Sequence, residues 1–104
     1  MTFSEMIRSD KPVLVDFSAE WCGPCRMLAP ILEDVKKRIG DRATIFKLDV
    51  DRNQVIASNY NVMSVPTLIL FQNGKPVWRR SGVLSAADLT RTIESFVKPT
   101  DAVK

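Results

Sequence analysis

The sequence predicts an α/β protein, with one mixed sheet of about four strands and helices on both faces. Three observations predict it. Apolar runs rich in β-branched and aromatic residues occur at 12–18, 43–49 and 65–71, each the length of a buried strand. Between the first two, Met27, Leu28, Ile31, Leu32, Val35 and Ile39 recur at helical spacing. After the third comes Asn73-Gly74, the strongest hairpin signal in the chain. Strand, helix, strand suggests a right-handed parallel βαβ unit, and the hairpin adds antiparallel strands.

Residues 3–9 read as a short helical lead-in, and Asp10-Lys11-Pro12 as the turn that opens the first strand. A helix is expected over 24–39, with Pro24 at its first position, where a fixed φ suits a helix and the missing N–H costs nothing. Pro30 should kink it, and Gly40 should stop it. The run 43–49 reads as a second buried strand. Asp51 is expected to cap a short helix reaching Tyr60, with Gln54 completing a capping box. Pro66 opens the third strand, and Lys75 to Arg80 is the return strand of the hairpin. Pro76 demotes that strand to a sheet edge, where Trp78, Arg79 and Arg80 read as surface cover and anti-aggregation charge. Ser85 to Asp88 caps a last helix that turns Leu89, Ile93, Phe96 and Val97 inward. Pro99 to Lys104 reads as a frayed polar tail.

At 104 residues, 45% of them hydrophobic, residues 1–104 are expected to form a single domain. The net charge of +3 comes without basic runs longer than three residues, and none is interleaved with aromatics, so nucleic acid is not an expected partner. No segment is long and apolar enough for a membrane span, and the first residues lack the charge and apolar pattern of a signal peptide. A reducing cytoplasm is therefore the expected setting.

The chemistry concentrates in Trp21-Cys22-Gly23-Pro24-Cys25, which holds both cysteines of the chain. Cys22 falls at the expected helix N-terminus, where the dipole and free N–H groups favour a thiolate. Cys25 falls inside the first turn and is expected to be the more buried of the two. An exposed, acidified thiol beside a shielded one suits thiol–disulfide exchange. Two other readings of the pair are weaker. As a structural staple, a loop of four residues is worth only about 2 kcal/mol. As a zinc site the pair lacks partners, because the chain has no histidine and no third cysteine.

The motif, following Val15-Asp16-Phe17 and followed in order by Val65-Pro66-Thr67 and Gly82, resembles the thioredoxin family from about Pro12 to Pro99. The resemblance implies a thioredoxin fold and a small protein-disulfide reductase, an enzyme that binds no cofactor. Its reversible Cys22–Cys25 disulfide would be recharged by a thioredoxin reductase at the expense of NADPH. A monomer exchanging with disulfide-containing client proteins is implied. Cys22 matches the attacking cysteine and Cys25 the resolving one. Asp16 matches a buried acid, Lys47 a lysine on the adjacent strand, and Pro66 a cis-proline facing the disulfide. Trp21, Gly23, Pro24, Val50, Ser64, Val65 and the Gly82-Val83 turn match the groove that holds a substrate backbone.

Some of these residues carry a second reading. Asp16 sits between Val15 and Phe17, which favours burial over a water-facing strand end. Lys47 reads equally as an exposed strand lysine, and Pro66 would be taken as trans without the resemblance. Three departures from the family stand out. Too few residues precede Pro12 for the family's first strand and longer first helix, so four strands are expected. Ser18 stands where tryptophan is common, and Ser64 where glycine is common. Two rival activities remain: a binding module that uses the same groove without redox chemistry, and a disulfide oxidant or isomerase.

Overall fold

A computed structural model of the chain describes residues 1–99. In chain order these form α1 (Phe3–Met6), β1 (Val13–Ser18), α2 (Gly23–Ile39), β2 (Thr44–Asp49), α3 (Gln54–Asn59), β3 (Thr67–Gln72), β4 (Lys75–Ser81) and α4 (Ala86–Glu94). The expected polar tail lies, beyond Pro99, outside the described residues. The four strands make one sheet in the order β2-β1-β3-β4. β1 pairs with β2 in parallel and with β3 antiparallel, and β3 pairs with β4 antiparallel. The mixed four-stranded sheet is therefore as the sequence predicts.

Strand periodicity divides the core in two. On one face Leu14, Leu68 and Leu70 pack with Leu28, Leu32, Val35 and Ile39 of α2 and with Leu89 and Ile93 of α4. On the other, Val13, Val15, Phe17, Ile69 and Phe71 pack with Ile7, Phe3, Ile56 and Tyr60 of the α1 and α3 side. Successive strand residues point to opposite faces, so β1 is apolar nearly throughout and buried at all six positions. Asp16 is the one charged residue in that run.

Several local expectations change. β2 is an edge strand, and only Leu48 on it is buried. Ile45 and Phe46 make it read as buried, but among the described residues no strand lies beyond it to cover it. α2 begins at Gly23, so Pro24 is the second helical residue, and Pro30 lies inside a helix that runs on to Ile39. β3 begins at Thr67, because Val65 and Pro66 form the loop before it. The helical lead-in shortens to Phe3–Met6, closed by a Thr2–Glu5 capping box. α4 ends at Glu94, yet Phe96 and Val97 still pack against its core in the following turn. The expected Asp51 cap is absent: Asn53 holds that position with no side-chain cap bond. The Asp51 carboxylate instead accepts from the Trp21 indole, 2.9 Å away.

The hairpin turn uses its glycine. Asn73 and Gly74 have φ of 55° and 81°, the pair of positive values a two-residue hairpin turn requires. Asparagine visits that region at small cost and alanine does not. Nothing lies within 4 Å of a Cβ built at Gly74, so strain there is purely torsional. Gly74→Ala is expected to cost about 1–2 kcal/mol. Urea unfolding should show a lower midpoint with an unchanged slope.

Candidate active site

The site forms where β1 ends and α2 begins, at the carboxyl end of the parallel pair, where α/β sheets place their ligands. Cys22 is the N-cap of α2 and Cys25 sits in the first turn, with their Cα atoms 5.3 Å apart and a disulfide between them. The backbone N–H of Cys25 donates to Cys22 Sγ at 3.1 Å. The expected contrast in exposure is not found: Cys22 is 4% and Cys25 6% exposed. Both pack with Ala19, Val50 and Val65. Val65 comes from a loop 43 residues away, so the cover over Cys22 is not readable from helical position. What distinguishes the two sulfurs is the helix end: Cys22 Sγ receives an N–H there.

The groove residues gather on one side. Trp21 is 68% exposed and borders an apolar pocket of about 140 Å³ with Val50, Val62, Met63, Ser64 and Val65. The Val65–Pro66 bond is cis, and Cys22 Sγ lies 3.7 Å from the Val65 carbonyl oxygen. Gly82, with φ of 94°, donates its N–H to the Pro66 carbonyl at 2.9 Å, and Val83 beside it is partly exposed. Gly23 and Pro24 form the start of α2.

Sequence reasoning missed two supports. Thr67 Oγ1 donates to the Ser64 carbonyl at 2.7 Å and lies 3.1 Å from Ser81 Oγ, bracing the loop that carries Pro66. Asp51 holds the Trp21 ring. The Val65-Pro66-Thr67 pattern could have flagged Thr67. No local signal links Asp51 to a residue thirty positions earlier.

Asp16 is 1% exposed, in the middle of β1, paired across the sheet with Lys47 and Leu68. Neither of its carboxylate oxygens has a hydrogen-bond partner among the described residues. Burial pushes its pKa up to about 6, opposed in part by the positive charge of Lys47. Lys47 itself is exposed at the sheet edge. Asp16 borders a cavity of about 170 Å³ with Ala29 and Lys47, and the same two residues also line the groove beside Cys25. Among the described residues no group of three or more His, Cys, Asp or Glu side chains is arranged to hold a metal, and no helix is long and apolar enough to cross a membrane.

Two cysteines separated by two residues, joined at a helix N-terminus and packed against Val65 of the loop before β3, define a dithiol–disulfide protein. Comparison with known proteins agrees. The family described as Thioredoxin matches residues 1–95. A thioredoxin-like protein of Synechocystis is 49% identical over 96 residues, covering 91% of each chain. A bifunctional thioredoxin reductase/thioredoxin of Mycobacterium leprae is 47% identical over 95 residues, covering 91% of this chain and 21% of that protein. A solved structure, a mutant thioredoxin from Halobacterium salinarum, superposes with a TM-score of 0.83 at 40% identity, covering 91% of this chain and 82% of that one. The chain belongs to the thioredoxin family and is a thiol–disulfide oxidoreductase.

Proposed function

We propose that Cys22 and Cys25 reduce disulfides of client proteins, and that an NADPH-dependent thioredoxin reductase returns them to the dithiol. The reading rests above all on one observation, a Cys22–Cys25 disulfide at a helix N-terminus between an exposed tryptophan and the Val65-Pro66 loop. The M. leprae relative, whose name joins a thioredoxin to its reductase, supports the choice of electron donor. Residues 1–104 act as one domain, as a monomer in the cytoplasm, with no bound cofactor.

The reaction has two steps. Cys22 thiolate, steadied by the Cys25 N–H, attacks one client sulfur, and the other client sulfur leaves as a thiolate. Cys25 then gives up its proton and attacks Cys22 Sγ, which forms the Cys22–Cys25 bond and frees the second client thiol. Asp16 is the base for that second step, reached through water in the cavity it shares with Ala29 and Lys47. Lys47 moderates the Asp16 charge. Trp21, Val50, Ser64, Val65 and Pro66, with the Gly82-Val83 turn, hold the client backbone against Cys22.

The test is insulin reduction with NADPH and a thioredoxin reductase. Precipitation of the insulin B chain coupled to NADPH oxidation is expected. Failure to reduce insulin with either the reductase or dithiothreitol as electron source would overturn the reading.

Asp51 fixes the Trp21 ring from the rim. Asp51→Ala is expected to raise KM for insulin about fivefold, the equivalent of one hydrogen bond of about 1 kcal/mol, with kcat little changed. A steady-state comparison of the two proteins separates the two constants.

A further inference from the structure

The segment 61–66, which carries the loop side of the pocket beside Trp21, is tied at both ends. At its far end Thr67 Oγ1 donates to the Ser64 carbonyl at 2.7 Å, and the Gly82 N–H donates to the Pro66 carbonyl at 2.9 Å. At its near end α3 stops in a tight turn. Asn61 has a φ of 54°, its N–H donates to the Ser58 carbonyl at 3.0 Å, and the Val62 N–H donates to the Ala57 carbonyl at 2.9 Å. That pair of bonds closes a helix and turns the chain away from its axis. The next four residues, Val62, Met63, Ser64 and Val65, all border the pocket.

The turn leaves the carbonyls of Tyr60 and Asn61 beyond the helix, and both go to one side chain. Arg79 Nη1 donates to the Tyr60 carbonyl, and Arg79 Nη2 donates to the Asn61 carbonyl at 2.7 Å. Arg79 stands on β4 opposite Ile69, on the sheet face that packs against α3. Arg80, the next residue, stands opposite Leu68 on the other face. Edge charge therefore describes Arg80 alone, because Arg79 holds a turn 18 residues away. A guanidinium suits that task. Its planar fork reaches two successive carbonyls at once, a geometry that a lysine ammonium does not share, and its charge is favourable at a helix C-terminus.

We propose that Arg79 is a positioning residue for the client site. By holding the Tyr60 and Asn61 carbonyls it sets where residues 62–65 stand against Trp21, and so how firmly a client backbone is held. It acts through that segment, with the sulfurs untouched. The inference rests on the proposed use of this pocket for protein clients.

Pre-reduced wild type, Arg79→Ala, Arg79→Lys and Arg80→Ala are each mixed with insulin and, separately, with bis(2-hydroxyethyl) disulfide, which is too small to span the pocket. Arg79→Ala is expected to reduce insulin about fivefold more slowly and the small disulfide within about twofold of the wild-type rate. Arg79→Lys should restore part of the insulin rate. Arg80→Ala, which removes the same charge from the same strand, should match wild type on both reagents. An unchanged insulin rate in Arg79→Ala, an equal fall with both reagents, or an equal fall in Arg80→Ala would overturn the proposal. If Arg79→Ala fails to fold, Arg79→Lys decides the matter: slower insulin reduction with an unchanged small-disulfide rate supports the proposal, and wild-type rates on both overturn it. Wild type that itself fails to reduce insulin would strike the proposed function instead. Amide hydrogen exchange then still reads the positioning: the amides of Asn61 and Val62 should exchange faster in Arg79→Ala than in Arg80→Ala, with those of β1 alike in the two. Equal exchange at Asn61 and Val62 would overturn the proposal.

Discussion

Cys25→Ser is expected to reduce insulin turnover to background while leaving the first attack intact. In the two-step scheme only the second step needs Cys25. Without it, the mixed disulfide between Cys22 and the client has no intramolecular attacker, and release must wait for an external thiol. The neighbouring cysteine offers a very high effective concentration, so its loss outweighs any change in the surrounding groove. Serine preserves the first turn of α2 and the backbone N–H that Cys22 Sγ accepts from. Burst kinetics would show the distinction: one equivalent of client thiol released per protein, then a plateau. Continued turnover at the wild-type rate would exclude a resolving role for Cys25.

Asp16→Asn is expected to stabilise the protein at pH 8 and to leave its stability near pH 4 almost unchanged. The folded carboxyl titrates at about 6 against an ordinary value of 3.8. Its folded-state pKa is raised, so the group favours folding most below the unfolded value. That contribution is lost as pH rises from about 4 through about 6, because the unfolded chain ionises first and the buried carboxylate must lose its hydration. A difference of roughly two pKa units corresponds to about 3 kcal/mol at alkaline pH. Asparagine removes the charge but leaves polar atoms in an apolar strand, so a gain of about 1–3 kcal/mol is expected. The same change should slow the step in which Cys25 loses its proton. Denaturant midpoints of both proteins at pH 4 and pH 8 check the first statement, and single-turnover release of the client checks the second. An asparagine variant no more stable at pH 8 would mean that Asp16 is not a raised, buried acid.

Stability and rate then pull in opposite directions at one position, which is a reason for a charged residue to stand in an otherwise apolar strand.

Much of this is legible in the sequence because it is local. The apolar run around Asp16 forces both faces of β1 inward, the helical spacing from Leu28 to Ile39 sets the buried side of α2, and Asn73-Gly74 sets the hairpin. What is not legible depends on contacts between distant segments. Asp51 fits a capping pattern with Gln54, but the Trp21 indole competes for the carboxylate and takes it. Ile45 and Phe46 look like buried-strand residues, and only the sheet order places them on an edge. Cys22 looks exposed by its place at a helix end, and Val65 covers it from the loop before β3. The position of Pro66 against the cysteines comes from family resemblance, since no rule of spacing brings residues 22 and 66 together.

The two-step mechanism turns on which sulfur meets a protein client. The direct measurement is to incubate reduced Cys22→Ser and Cys25→Ser with a folded, disulfide-containing protein and to locate any mixed disulfide by peptide mass mapping. Cys25→Ser should accumulate the client on Cys22, and Cys22→Ser should accumulate almost none. Capture of the client on Cys25 at a comparable rate would contradict the assignment of attack to the helix N-terminal thiol.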